Sequence, residues 1–231
     1  MLPDFERITV PGHRALAELD RLRAEHPTTG LYPVLMGDVE EIETILEGME
    51  EAEPAAVALA KARIIDVPLL LSIWRGNMED PDVDDPEGDP TTSEAWPASG
   101  HEPEAPGIIT HLEVGTEEPL DAVVIGLFPV VKPWEVFAYI GYGGWNSCPH
   151  ANEHVAIHRS WQERYGAEVV SLTPAIVQCV VSRPPLDRAG SLELAREQYV
   201  YCEDIVIQGT QTVGNLAASL QGARTWYFWW D

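Results

Sequence analysis

Apolar positions along the chain recur three or four apart in some stretches and run together in others, with Gly, Pro and Asp between them. Leu16, Leu19 and Leu22 predict a helix over 15–25, which Pro27 is expected to stop. Thr29-Gly30 then leads into a short strand over 31–36, LYPVLM. Asp38 is a plausible N-cap for a helix over 39–49, with Val39, Ile42, Ile45, Leu46 and Met49 on one stripe and glutamates opposite. Pro54 starts a further helix to about Ile64, and Asp66-Val67-Pro68 opens an apolar segment ending at Trp74-Arg75-Gly76.

The run 122–131, AVVIGLFPVV, is apolar throughout, which predicts an inner strand covered on both faces. Pro129 and Pro133 place its end there or put it along an edge. A second apolar element spans 134–140, and Gly141-Tyr142-Gly143-Gly144 breaks it. Helices over 151–165, 191–202 and 212–221 alternate with strands over 167–172, 176–181 and 225–230. The short Thr173-Pro174 link favours an antiparallel hairpin. The expected class is therefore α/β or α+β, a mixed, partly antiparallel sheet flanked by helices in a single main domain. In that division 1–75 is an N-terminal helix/strand segment packing on the main domain. Residues 76–107 are an acidic, Pro-rich loop, and 108–231 are a C-terminal α/β domain.

Charge sharpens the picture of the loop. Residues 76–107 hold ten acids, six prolines and no Lys or Arg, too little apolar surface to offset the entropy of ordering, so a disordered insertion is expected. The whole chain of 231 residues carries 38 Asp+Glu against 14 Lys+Arg, a net charge of −24. Residues 1–121 hold 28 of those acids and 7 of the bases, so the acidity belongs to the N-terminal half. The scattered Arg and Lys form no stripe that could follow a phosphate backbone, which argues against nucleic acid and anionic lipid as partners. Three cysteines without framework spacing fit reduced thiols in a cytoplasm. MLPDFERITV has no basic region followed by an apolar run, and the most apolar windows, 67–74 and 122–131, are too short to span a bilayer.

One window concentrates reactive side chains: Cys148, His150, His154 and His158 lie within 11 residues, after Trp145-Asn146. His154 and His158 are four apart on the predicted helix, so both imidazoles share a face. Helical phase puts them beside Ile157, Trp161 and Tyr165, on the apolar side. An inward histidine is satisfied by hydrogen bonds in a packed interior, lines a cleft, or ligates a metal. Thiolate and imidazole are zinc-type ligands, so Cys148, His150, His154 and His158 are a candidate metal set, although no C-x-x-C or HExxH accompanies them. No cofactor is otherwise expected. A second cluster is Glu197, Tyr199, Tyr201, Cys202, Glu203 and Asp204. Acids at a helix C-terminus oppose its dipole, which calls for a compensating partner such as Arg183 or a histidine of the first cluster. Candidate catalytic residues are His154, His158 and Asp204, and candidate binding residues are Trp145, Asn146, His150, Tyr199 and Glu197. The aromatic run 226–230 is read as core packing rather than as a stacking platform.

The strings GGWNSCPHANEHVAIHRSWQERYGAEVV, LAREQYVYCEDIV and WYFWWD, in that order, resemble the bacterial family called domain of unknown function 4253. TGLYPVLMG is similar to the segment that precedes that domain in actinobacterial members. The resemblance spans about 120–231, and 15–75 more loosely. It implies a bacterial cytoplasmic protein with one α/β domain and carries over no catalytic assignment. The leading functional expectation is an acidic interaction module, an inhibitor or immunity-like protein or an assembly factor, that binds a basic partner. The alternatives are a hydrolase around His154 and His158, with or without a metal, and a nucleic-acid mimic built on the acidic loop.

Overall fold

The computed structural model describes residues 5–49, 52–78 and 90–231. The N-terminal part runs β1 (Glu6–Val10), α1 (Gly12–Thr29), β2 (Tyr32–Leu35), α2 (Val39–Met49), α3 (Ala55–Arg63) and α4 (Val67–Met78). The C-terminal part runs β3 (Val123–Phe128), α5 (Glu135–Ile140), α6 (Ala151–Tyr165), β4 (Ala167–Leu172), β5 (Ile176–Val181), α7 (Arg188–Tyr201), α8 (Val213–Leu220) and β6 (Thr225–Trp229).

The strands form one six-stranded sheet in the order β1-β3-β2-β4-β5-β6. Only β2 and β4 pair in parallel; the other neighbours are antiparallel, including the β4–β5 hairpin. The fold is thus mixed α/β, as the alternating pattern requires. All six positions of β3 are buried, because both its faces are covered. On one face α1 contributes Ala15 and Leu19 to a core with Leu35, Ile125, Leu127 and Val170. The other face carries the larger core, in which helices α2 to α8 pack over the sheet. The predicted Pro129 boundary holds, since β3 stops at Phe128.

Several elements depart from expectation for local reasons. α1 continues past Pro27 to Thr29, because a proline in the last turn removes a single intrahelical donor. Gly30, at φ 69°, then closes the helix by donating its N–H to His26 O. The apolar segment after Asp66 is helix α4, capped by Asp66 Oδ1, which accepts from Leu69 N. The edge strand β1, ERITV, was not anticipated; its half-exposed residues give a weak pattern.

Of the expected acidic loop, 79–89 lie outside the described residues. Residues 76–78 belong to the last turn of α4. The stretch 91–107 is tied to the domain: Thr91 Oγ1 lies 3.0 Å from Tyr199 Oη, Gly214 N donates to Ser93 O, and Arg196 makes a two-pronged ion pair with Glu94. Gln178, fully buried on β5, donates to Gly107 O and accepts from Ile109 N. These bonds supply the ordering that composition alone does not predict. No helix among the described residues is long and apolar enough to cross a membrane.

Candidate functional site

The candidate site is built on α6. Gly141, Gly143 and Gly144 all take positive φ in the loop that enters it. At Gly143, with φ 97°, a Cβ would collide with Pro149 O and the His154 ring, so only glycine lets the loop pass this close to the helix. The loop returns on itself through Gly144 N, which donates to Cys148 O and Pro149 O. Glu153 Oε2 then accepts from His150 N and caps the first turn.

His154 and His158 project inward as the helical phase predicts, and both are fully buried. They converge on one atom that the sequence pattern did not single out as their bridge. Tyr201 Oη of α7 lies 2.6 Å from His154 Nδ1 and 2.9 Å from His158 Nε2. The outer nitrogens meet thiols: His154 Nε2 is 3.4 Å from Cys148 Sγ, and His158 Nδ1 is 3.7 Å from Cys179 Sγ. The result is a buried row, Cys148–His154–Tyr201–His158–Cys179.

Proton counting gives this row two self-consistent directions. Tyr201 has one hydroxyl proton and must donate to one ring and accept from the other. If Cys148 donates to His154 Nε2, then His154 Nδ1–H donates to Tyr201, Tyr201 to His158 Nε2, and His158 Nδ1–H to Cys179. The opposite direction reverses every bond. Either way all five groups are satisfied without a net charge.

The surroundings enforce that neutrality. Phe137 stacks on His154 at 4.7 Å, and Tyr142, Trp161, Phe228 and Trp230 close the cage. Burial pushes His154 well below its ordinary range, helped by the neighbouring His158 and His150, and burial pushes His158 down to about 3. Burial likewise pushes the Cys148 and Cys179 thiols and the Tyr201 hydroxyl up. A dry row of neutral donors and acceptors specifies packing; it holds no charged base at neutral pH.

The other candidates separate. His150 is exposed at the start of α6, so Cys148, His150, His154 and His158 do not gather around one point. No group of three or more His, Cys, Asp or Glu placed to hold a metal is found among the described residues. Asp204 accepts from Gln208 Nε2 and Asp231 N, away from both imidazoles. Cys202 donates to Trp229 O, with its thiol pushed up to about 12 by burial. Glu197 is held by Arg164 and by Trp161 Nε1, which donates over 2.9 Å. Arg183, one of the two kinds of partner expected, instead donates to Gln162 O and Glu163 O at the end of α6. Trp145 packs on Tyr142, and the Asn146 side chain donates to Asp231 O. Trp226 and Phe228, on alternate positions of β6, and Trp230 just after it are buried, consistent with core packing.

Two members of the row border a cavity. Cys148 and Tyr201 line a cavity of about 360 Å³ with Asn146, His150, Glu153 and Trp74. That cavity joins α4, the glycine loop and α7, so sequence-distant candidates do meet there.

No curated protein and no solved structure matches the chain. The model of one family does, a domain of unknown function, DUF4253, over residues 124–231. That interval holds β3 to β6, α5 to α8 and every member of the buried row, so this part of the chain is similar to the DUF4253 family.

Proposed function

We propose that the protein is an acidic interaction module, of the inhibitor or assembly-factor kind, that docks a basic protein. The observation that carries this reading is the uneven charge: 28 acids against 7 bases in residues 1–121. Such a field accelerates encounter with a cationic surface. Glu40, Glu43 and Glu47 are exposed along α2, and Ile64, Leu69 and Ile73 add exposed apolar side chains near and on α4. Charged groups around apolar anchors are the usual make-up of a protein interface. The sealed state of His154 and His158 supports the same reading, because it leaves their imidazoles without access to a substrate.

The test compares the native chain with the triple variant Glu40→Lys, Glu43→Lys, Glu47→Lys. A basic partner captured from native lysate at low salt, released at high salt and lost with the variant supports the proposal. Capture of nothing at either salt, or capture indifferent to charge reversal, ends it.

A second reading has one observation in its favour. Cys148 borders an open cavity with His154 Nε2 at 3.4 Å, and Tyr201 orients that ring from its other side. Thiol, base and orienting group in sequence are the arrangement of a nucleophilic hydrolase. It ranks second because burial disfavours the thiolate that the chemistry needs. Ester or amide hydrolysis abolished by Cys148→Ser and by His154→Gln would promote it above the binding reading.

A further inference from the structure

A separate cavity of about 520 Å³ lies where α4, α6 and α7 meet. Each of the three helices contributes one arginine to its wall: Arg75, Arg164 and Arg196. The whole chain has only 14 Lys+Arg against 38 Asp+Glu, so three bases around one opening stand out against its composition. Solvent reaches all three. Arg75 is exposed, and the side chains of Arg164 and Arg196 are 34% and 39% exposed.

Acids hold two of these guanidiniums in place. Arg164 Nη1 donates to both carboxylate oxygens of Glu197, and its Nη2 donates to Glu193. Arg196 grips Glu94 with Nε and Nη2. Donors are left over, Nε of Arg164 and Nη1 of Arg196. Arg75 has no ion pair and no side-chain hydrogen bond among the described residues, so its whole fork is open. Its charge still reaches the neighbouring pair: Glu94 lies below the usual carboxylate range chiefly through Arg196, and Arg75 acts in the same direction. The hydroxyls of Ser72 and Ser160 share the wall and have no partner among the described residues. Glu197 is already engaged by Arg164 and Trp161. Free donors thus outnumber free acceptors around this opening, which suits a ligand with several acceptor oxygens.

Three guanidiniums and two hydroxyls match a tetrahedral oxyanion better than a planar one, because donors from several directions can each meet an oxygen. The volume lies within the range of small-molecule pockets, and Pro68 and Leu71 line the α4 side with apolar surface. Repulsion by the acids of the N-terminal half is screened over about 8 Å at physiological salt. We propose that this cavity binds a small phosphomonoester, its phosphate held by Arg75 and Arg196 beside the charge of Arg164, and its organic part on Pro68 and Leu71. The site is distinct from the Cys148 cavity and independent of any protein partner.

Side-chain ¹⁵Nε–¹Hε NMR of the full chain tests this with phenyl phosphate, benzoate and sodium chloride at matched ionic strength. Phenyl phosphate is expected to shift the Arg75 and Arg196 signals saturably, benzoate to act more weakly, and chloride to leave them in place. Arg75→Gln removes an exposed, unpaired fork, so the urea midpoint should stay unchanged while phenyl phosphate binds about tenfold more weakly or worse. Arg63→Gln removes an exposed arginine of α3 outside the lining, and should leave binding as it is. Signals unmoved by phenyl phosphate up to its solubility overturn the proposal. So do shifts reproduced by chloride, or equal losses in Arg63→Gln and Arg75→Gln, which would make the effect one of overall charge. Equal response to benzoate overturns the ligand class.

Discussion

Tyr201 Oη stands 2.6 Å from His154 Nδ1, and both groups are fully buried. The same hydroxyl serves His158, so one hydroxyl satisfies two imidazoles by donating to one and accepting from the other. Helix α7 is thereby locked against α6 by a polar contact inside an aromatic cage. The contact is directional where the surrounding apolar packing is not, and it fixes how the two helices register.

Tyr201→Phe tests the weight of that contact. The ring packing survives, but two imidazole nitrogens lose their partner in a dry interior. Each such loss costs about 1–3 kcal/mol, so urea denaturation should show a drop of about 2–5 kcal/mol. A change below about 1 kcal/mol would mean that the imidazoles find other partners.

The same burial makes stability depend on pH. Both histidines are held below their unfolded value, so the unfolded chain binds more protons in acid. Their contribution is complete above about pH 6.5 and falls as the pH drops toward about 3, the folded value of His158. At pH 5 His158 alone removes about 2 kcal/mol relative to neutral pH, and His154 acts in the same direction. Carboxylate protonation acts in parallel, so the check is a difference. The stability loss from pH 7.5 to 5 should be smaller in His158→Gln than in the native chain by about that amount. Equal losses in both would show that His158 is not the proton acceptor.

Much of this was legible locally. The 151–165 helix and the 167–181 hairpin follow from periodicity and from a Pro-containing turn, and helical phase alone turned His154 and His158 inward. Tyr201 was not legible as the bridge, because it lies 47 and 43 residues away from its two partners. The pairing of Glu197 with Arg164 rather than Arg183 has the same origin: which basic group reaches a helix end is decided by how α6 and α7 cross. The bonds that hold 91–107 to the domain were hidden by composition. Proline and acid density reports what a segment cannot bury by itself, and not what a neighbouring helix offers it.

The thiols make a kinetic prediction. Cys148, Cys179 and Cys202 are free and buried, and burial raises each above its ordinary range. At pH 8 a disulfide reagent should titrate none of them in a fast phase, and all three once the chain is denatured. Cys148, which borders a cavity, should react first and Cys179 last. Mass spectrometry of partly labelled protein reads the order. Fast, stoichiometric labelling of Cys148 in the native fold would contradict its burial and raised thiol and favour the hydrolase reading.

Gly143 tests the loop that feeds the row. Its φ of 97° is left-handed territory that side-chain-bearing residues avoid, and a Cβ there would meet Pro149 O and the His154 ring. Gly143→Ala therefore adds about 1–3 kcal/mol of backbone strain and forces the loop off His154. Gly115 also has positive φ, at 87°, but nothing lies within reach of its added Cβ. Gly115→Ala should accordingly show the conformational penalty alone. Thermal unfolding of the two variants separates strain from collision. A larger loss for Gly143→Ala, with faster Cys148 labelling, is the expected pair of results. Equal losses would mean that the loop gives way without disturbing the row.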